Sequence, residues 1–254
     1  MRITFLGTGT SHGVPMIACD CATCHSPDPR DTRLRSAIYV EAPGASVLVD
    51  AGPDLRTQAL RHRITRVDAI LFTHGHADHI LGLDDVRRFN AVMAGPMRCY
   101  GDGATLDDIR RMFSYVFDPR TPEAGGLLRL DLRLVDGPLT VGDLTIQPVP
   151  LMHGARPILG FRFGSFAYLT DCNEIPDGSW PLLEGLDVLV LDALRVRPHP
   201  THFSLDEAIA TASRIGAART FFTHMCHDLP HAPTDARLPA GMALAYDGLV
   251  LEIS

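Results

Sequence analysis

Short apolar runs separated by glycine or proline turns recur along the chain, and a few stretches carry helical spacing instead. Ile3–Leu6 reads as a first strand running into the glycine-rich loop Gly7–Gly13. Ser36–Glu41 and Ser46–Asp50 read as a hairpin turning through Pro43-Gly44. Gly52–Arg61 reads as a helix with Pro53 at its start, Val67–Phe72 as a buried strand, and Ile80–Phe89 as a helix. Arg98–Tyr100 is expected as a short strand and Ala104–Phe113 as a helix. From Leu130 the pattern turns strand-like, with runs at Leu132–Val135, Leu139–Val141, Leu144–Val149, Ile158–Phe163, Phe166–Leu169 and Asp187–Leu191. Leu205–Ile215 has helical spacing with Ser204 as its N-cap, and Arg219–Thr223 and Leu249–Ile253 are the last strands. Strand groups recur in both halves with helices between them. No internal repeat, low-complexity tract or linker interrupts them, and the most loop-like stretch is Asp118–Gly126. The pattern predicts an α/β fold of two packed sheets flanked by helices, as one domain over residues 1–254.

Composition adds limits. A chain of 254 residues, 46% hydrophobic and 21% charged, is long enough for a sizeable core. The formal net charge of −7 argues against a stable nucleic-acid partner held by broad electrostatics. It leaves room for a small anionic substrate, because bound cations would dominate the local field. The N-terminal run Met1–Gly7 is too short and too weakly basic for a signal peptide, and no run approaches the ~18 apolar residues of a membrane span. The expected compartment is the cytoplasm, with no membrane partner.

The chemistry concentrates in His74-Gly-His76-Ala-Asp78-His79, three histidines and an aspartate within six residues. The cluster lies between a buried strand and a helix, where open α/β folds place their sites. In a strand end His74 and His76 point to the same side by period-two alternation, and the turn swings Asp78 and His79 toward the same point. Three later residues stand in the same context, directly after an apolar strand: His153, Asp171 and His224. The set is all nitrogen and oxygen, which suits Zn, Mn or Fe. The loop Gly7-Thr-Gly-Thr-Ser-His-Gly13 partly matches a dinucleotide-binding pattern, but Val14-Pro15 follows where a helix should start, so it reads as a plain turn near the site. Ser11 and His12 would border that site.

Six cysteines are present, three of them in Cys19-x-Cys21-x-x-Cys24. In a reducing compartment such a cluster points to a metal rather than to disulfides. Zinc commonly takes four ligands. His25 is adjacent but awkwardly placed, and His227, three residues beyond His224, is the better fourth. The pattern Cys21-x-x-Cys24-His25 also fits c-type haem attachment, which normally accompanies export.

The cluster His74-x-His76-x-Asp78-His79, with His153, Thr170-Asp171 and Thr223-His224, resembles the metallo-β-lactamase superfamily over nearly the whole chain. The resemblance implies an αββα sandwich with a dinuclear centre. One metal would take His74, His76 and His153, the other Asp78, His79 and His224, and Asp171 would bridge them. The true β-lactamases usually lack that bridging carboxylate, which speaks against a penicillin substrate. The Leu-Gly-Thr-Gly-Thr loop, the three cysteines and the late Thr-His-x-x-His resemble the PhnP-like group within that superfamily. There Cys19, Cys21, Cys24 and His227 would hold a structural zinc, in a loop at about residues 15–36. His202, just before a helix, would protonate the leaving oxygen, and His199 competes with it for that role. The same resemblance is compatible with a homodimer.

The function this implies is a dinuclear metal-dependent phosphodiesterase acting on a small cyclic phosphate or nucleotide, by attack of a hydroxide bridging the metals, with Asp78 and His202 in catalytic roles. The alternatives are a tRNA 3′-end processing nuclease, a glyoxalase II-like thioesterase and a non-catalytic metal-binding protein. Arg30, Arg33 and Arg35 either reach a phosphate or pair with nearby Asp28 and Asp31.

Overall fold

The computed structural model describes residues 1–121 and 126–253. Its first sheet takes β1 (Arg2–Gly7), β2 (Ala37–Ala42), β3 (Ala45–Val49), β4 (Ala69–Leu71), β5 (Met97–Gly101) and β6 (Leu130–Leu134). Its second takes β7 (Leu139–Val141), β8 (Leu144–His153), β9 (Arg156–Phe163), β10 (Phe166–Leu169), β11 (Val188–Asp192), β12 (Arg219–Thr223) and β13 (Met242–Leu244). The closing strand β14 (Val250–Glu252) returns to pair with β1. The spatial orders are β14-β1-β2-β3-β4-β5-β6 and β13-β12-β11-β10-β9-β8-β7.

Each sheet is antiparallel in one half and parallel in the other. Pairing is antiparallel from β14 to β3 and from β7 to β10; it is parallel from β3 to β6 and from β10 to β13. The parallel halves explain why their strands read as unbroken apolar runs: both faces are covered. Val47, Val49, Leu71, Val188 and Val190 pack between the sheets, against Phe161, Phe163 and Tyr168. Their neighbours face outward, Leu48 and Ile70 toward one helical layer, Leu189 and Leu191 toward the other. The result is an αββα sandwich.

Most elements form where the sequence pattern places them. The helix Leu205–Ile215 starts on a reciprocal capping box of Ser204 and Glu207 and ends at Gly216 with φ 72°. The expected helix Ile80–Phe89 is instead broken into Ala77–Ile80, a 3-10 turn Leu83–Val86 and Arg87–Met93. Gly82 causes the break: its N–H donates to the Ala51 carbonyl at 2.8 Å, and a Cβ there would run into the Gly52 carbonyl oxygen. The helix expected from Gly52 begins only at Leu55, since Asp54 is engaged by the Arg35 backbone N–H and guanidinium. β8 extends past Val149 to His153 despite Pro148 and Pro150. Its partner β7 reaches only Ile146, and β8 pairs again beyond β9 only at Met152, with Glu174, so Pro148 and Pro150 stand where β8 is an edge and proline is tolerated. The 3-10 segment Asp177–Leu183, the helix His231–Asp235 and β13 form outside the elements that the sequence pattern predicts. Of the loop-like stretch Asp118–Gly126, residues 122–125 lie outside the described residues. Among the described residues no helix is long and apolar enough to cross a membrane.

Gly52 is packed just as tightly. A Cβ at this position would collide with the Asp78 carbonyl, so the loop after β3 and the turn that carries Asp78 meet there without slack. Overpacking of this kind costs about 1–3 kcal/mol. Gly52→Ala should lower Tm by about 5 °C, read by calorimetry; an unchanged Tm would mean the loops yield freely.

Candidate metal centre

The parallel strands of both sheets end on one edge, and the residues just beyond them turn inward there. Asp50 after β3, Asp171 after β10 and His224 after β12 all adopt left-handed backbone, with φ of 65°, 61° and 61°. Such conformations are uncommon without glycine, although Asp and His are enriched among the exceptions. They concentrate at functional sites.

The segment after β4 does the same by another route. β4 ends at Leu71, so His74 and His76 stand in the following loop rather than in an extended strand. Period-two alternation therefore does not align them. The loop folds tightly because Gly75 packs against Asp108, leaving no room for a side chain. Asp78 and His79 follow in the first turn of Ala77–Ile80.

Asp171 is the centre of the arrangement. Its Oδ2 lies 3.2 Å from His74 Nε2, 2.9 Å from His79 Nε2 and 3.7 Å from His224 Nε2. Its Oδ1 lies 3.3 Å from His153 Nδ1 and 3.0 Å from His202 Nδ1. Two four-residue groups with metal-ligand geometry meet at this carboxylate: His74, His76, His153 and Asp171, and Asp78, His79, His224 and Asp171. In each, the donor atoms all lie within 4.8 Å of one another.

The donor set fits a pair of cations. His74 Nε2, His79 Nε2, His153 Nδ1, His224 Nε2 and Asp171 Oδ1 are buried and lack a hydrogen-bond partner among the described residues. Each unsatisfied buried polar atom costs about 1–3 kcal/mol, and here their lone pairs converge on shared points. Electrostatics agree. Burial would raise the Asp171 pKa, but His224 and His74 beside it hold it well below the carboxylate range. Burial works against charge on His79, yet Asp50 and Asp78 keep its pKa well above the histidine range. His74, pushed by burial and by His79, falls to about 3 and stays neutral, while the carboxylates around His79 favour positive charge there, which a bound cation would supply in place of the proton.

Two carboxylates behind the ring of donors were not singled out from the sequence. Asp50 Oδ2 lies 2.7 Å from His79 Nδ1, and its oxygens also accept from the Thr73 hydroxyl at 3.0 and 3.2 Å. Asp192 Oδ1 lies 3.3 Å from His224 Nδ1 and 3.6 Å from His202 Nδ1. Carboxylates so placed fix the tautomer and ring orientation of a ligating histidine. Both occupy the strand-end context that marks the other site residues, which is the signal that could have found them.

Cys19, Cys21, Cys24 and His227 form a second cluster. Their sulfurs lie 3.1, 3.5 and 3.6 Å from His227 Nδ1. Three thiols and one imidazole are the donor set of a closed zinc site. His25 is directed away, 3.5 Å from Asp20 and largely exposed. The loop is tied to the His227 segment by Arg33. This fully buried guanidinium pairs with Asp31 at 3.3 Å and donates to the carbonyls of Cys226 and Leu229 at 2.9 and 2.6 Å. Arg30 pairs with Asp28 and Arg35 with Asp54, so the three arginines serve the loop's own architecture rather than a phosphate.

His202 is buried beside the centre, its ring stacked on His224 at 4.9 Å and 13°. His199 sits farther out, its Nδ1 against the Thr201 hydroxyl at 3.2 Å. Ser11 and His12 border a cavity that reaches His202. Cys172 is packed beneath the site, whereas Cys226 lines that cavity.

Residues 45–225 match the sequence profile of the Beta-lactamase superfamily domain. The chain belongs to the metallo-β-lactamase superfamily. This superfamily member is similar to a crystallised diphosphatase from the PhnP family, with 47% identity and a TM-score of 0.93, covering 100% of this chain and 98% of that one. It is 38% identical to an octanoyltransferase of Porphyromonas gingivalis over 98% of its own length, but spans about half, 51%, of that longer protein. Zn2+-bound PqqB from Methylobacterium extorquens shares the fold, with a TM-score of 0.77 at 21% identity over the full length of both chains. The chain accordingly carries the fold of this superfamily together with donor groups that could hold metal ions.

Proposed function

We propose that the protein is a dinuclear phosphodiesterase acting on a small anionic phosphate ester. One observation carries the reading: two complete four-residue donor groups share a single carboxylate, Asp171. His74, His76 and His153 would hold one divalent ion, and Asp78, His79 and His224 the other. When bound, such a pair supplies Lewis acidity toward phosphoryl oxygens and a water acidic enough to act near neutral pH. The chain's own residues do the rest. Asp50 and Asp192 orient His79 and His224 through their Nδ1 atoms. His202 holds a proton for the departing alkoxide, supported by Asp171 and Asp192. The cysteine cluster would hold a structural zinc that fixes the loop over about residues 15–36, and residues 1–254 would work as one hydrolase domain.

The relative from the PhnP family supports a phosphate substrate, and the net charge of −7 weighs against a nucleic-acid one. The octanoyltransferase name belongs to a protein about twice as long, so its activity does not transfer. A hydrolysis panel on metal-analysed protein tests the reading, using ribose and nucleoside cyclic phosphates, a dinucleotide, a chromogenic diester and a thioester. Turnover of small diesters is expected, lost on chelation and restored by Zn or Mn. Thioester turnover without diester turnover would replace the reading with a glyoxalase II-like one.

A further inference from the structure

The two donor groups that share Asp171 are supported differently. In the second, each histidine has a carboxylate at its outer nitrogen: Asp50 lies 2.7 Å from His79 Nδ1, and Asp192 3.3 Å from His224 Nδ1. In the first, His74 Nδ1 meets the Thr73 hydroxyl at 3.0 Å. Among the described residues the sole carboxylate paired with His74 or His153 is the shared Asp171, and His76 is paired with none. These three histidines also come from different sheets, His74 and His76 from the loop after β4 and His153 from the end of β8. Rings that lack carboxylate partners depend on their loops for placement, and two loops from two sheets need a tie.

Asp108 supplies one. It stands on the helix Gly103–Met112, whose start is fixed by Asp102 accepting from the Thr105 N–H at 2.7 Å. Its carboxylate rests on Gly75, the residue between His74 and His76. The same carboxylate accepts from Arg156 Nη2 at 2.7 Å. Arg156 is the register partner of His153 across the turn of the β8–β9 hairpin. The pair is largely sheltered, with side chains 15% and 30% exposed, whereas the second arginine on Asp108, Arg111, is mostly in solvent. One carboxylate thus touches the loop of two donors and holds the hairpin of the third, while belonging to neither donor group.

We infer that Asp108 is a positioning residue for the first ion alone, setting the separation of His74 and His76 from His153 and thereby that ion's affinity. The inference rests on the dinuclear reading of the centre and deepens it. The second ion has Asp50 and Asp192 behind its ligands and does not depend on Asp108.

Metal content and chelator-competition affinities of the loaded protein test it. Wild-type protein should hold two ions at the Asp171 centre and one at the cysteine cluster. In Asp108→Ala one centre ion should bind about tenfold more weakly or worse, with the other two ions unchanged. Arg156→Met should weaken the same ion, and Arg156→Lys, which keeps a cation at Asp108, should recover most of its affinity. On a His76→Ala background, which already lacks a donor to the first ion, Asp108→Ala should weaken nothing further. A residue that only supports the fold would lower Tm and weaken all the ions alike or none, and either result overturns the inference while the dinuclear reading stands. A wild-type centre that never takes a second ion overturns the dinuclear reading and the inference with it.

Discussion

Asp171→Asn is expected to abolish phosphodiester hydrolysis, with kcat/KM falling about a thousandfold or more. The carboxylate stands within 3.7 Å of five imidazoles and is shared by both donor groups. Asparagine keeps its shape and tolerates the left-handed backbone at this position, where φ is 61°. The variant should therefore fold. It loses the one negative charge that both donor groups share, leaving Asp78 as the sole acid of the set. Metal analysis should show the protein dropping by at least one ion per chain, with the cysteine cluster unaffected because none of its residues touches Asp171. Full activity, or full metal content with activity lost only modestly, would remove Asp171 from its shared position.

That residue was legible from the sequence for a physical reason. A buried strand that ends in a charged or ligand-type side chain has few bland explanations, and Asp171, His153 and His224 all stand in that context. The contiguous run His74–His79 was plainer still, because so short a segment concentrates four potential donors in one place along the chain. Its conformation was less legible. Alternation along a strand would align His74 and His76, but the strand stops at Leu71 and the alignment comes from a tight loop against Asp108. The close approach of Gly52 and Gly82, which breaks the following helix, is a tertiary contact invisible to local periodicity. Asp50 and Asp192 carried the same strand-end signal as the ligands, yet nothing local tells an acid that orients a histidine from one that binds a metal. The arginines before β2 show the converse case. Their spacing beside Asp28 and Asp31 allowed a phosphate site, and only the fold reveals that Arg33 is buried as a tie between two loops.

His202→Gln should lower kcat about a hundredfold or more toward esters with poor leaving groups, with metal content unchanged. The distinction between leaving groups is what makes the test specific. An alkoxide cannot depart without a proton, whereas a nitrophenolate can, so the variant's deficit should shrink sharply on a nitrophenyl ester. A group that merely shapes the pocket would depress both substrates alike. His202 is placed for the donor role by its buried ring, its stacking on His224 and its Nδ1 at 3.0 Å from Asp171 and 3.6 Å from Asp192. Those carboxylates outweigh the effect of burial and raise its pKa above the ordinary histidine value, which keeps a proton available. His199 is more exposed, rests on Thr201 and has no carboxylate at comparable range among the described residues, so His199→Gln should not show the leaving-group dependence. If that dependence appears in His199→Gln and not in His202→Gln, the proton donor is His199, and His202 serves to pack the ring of His224.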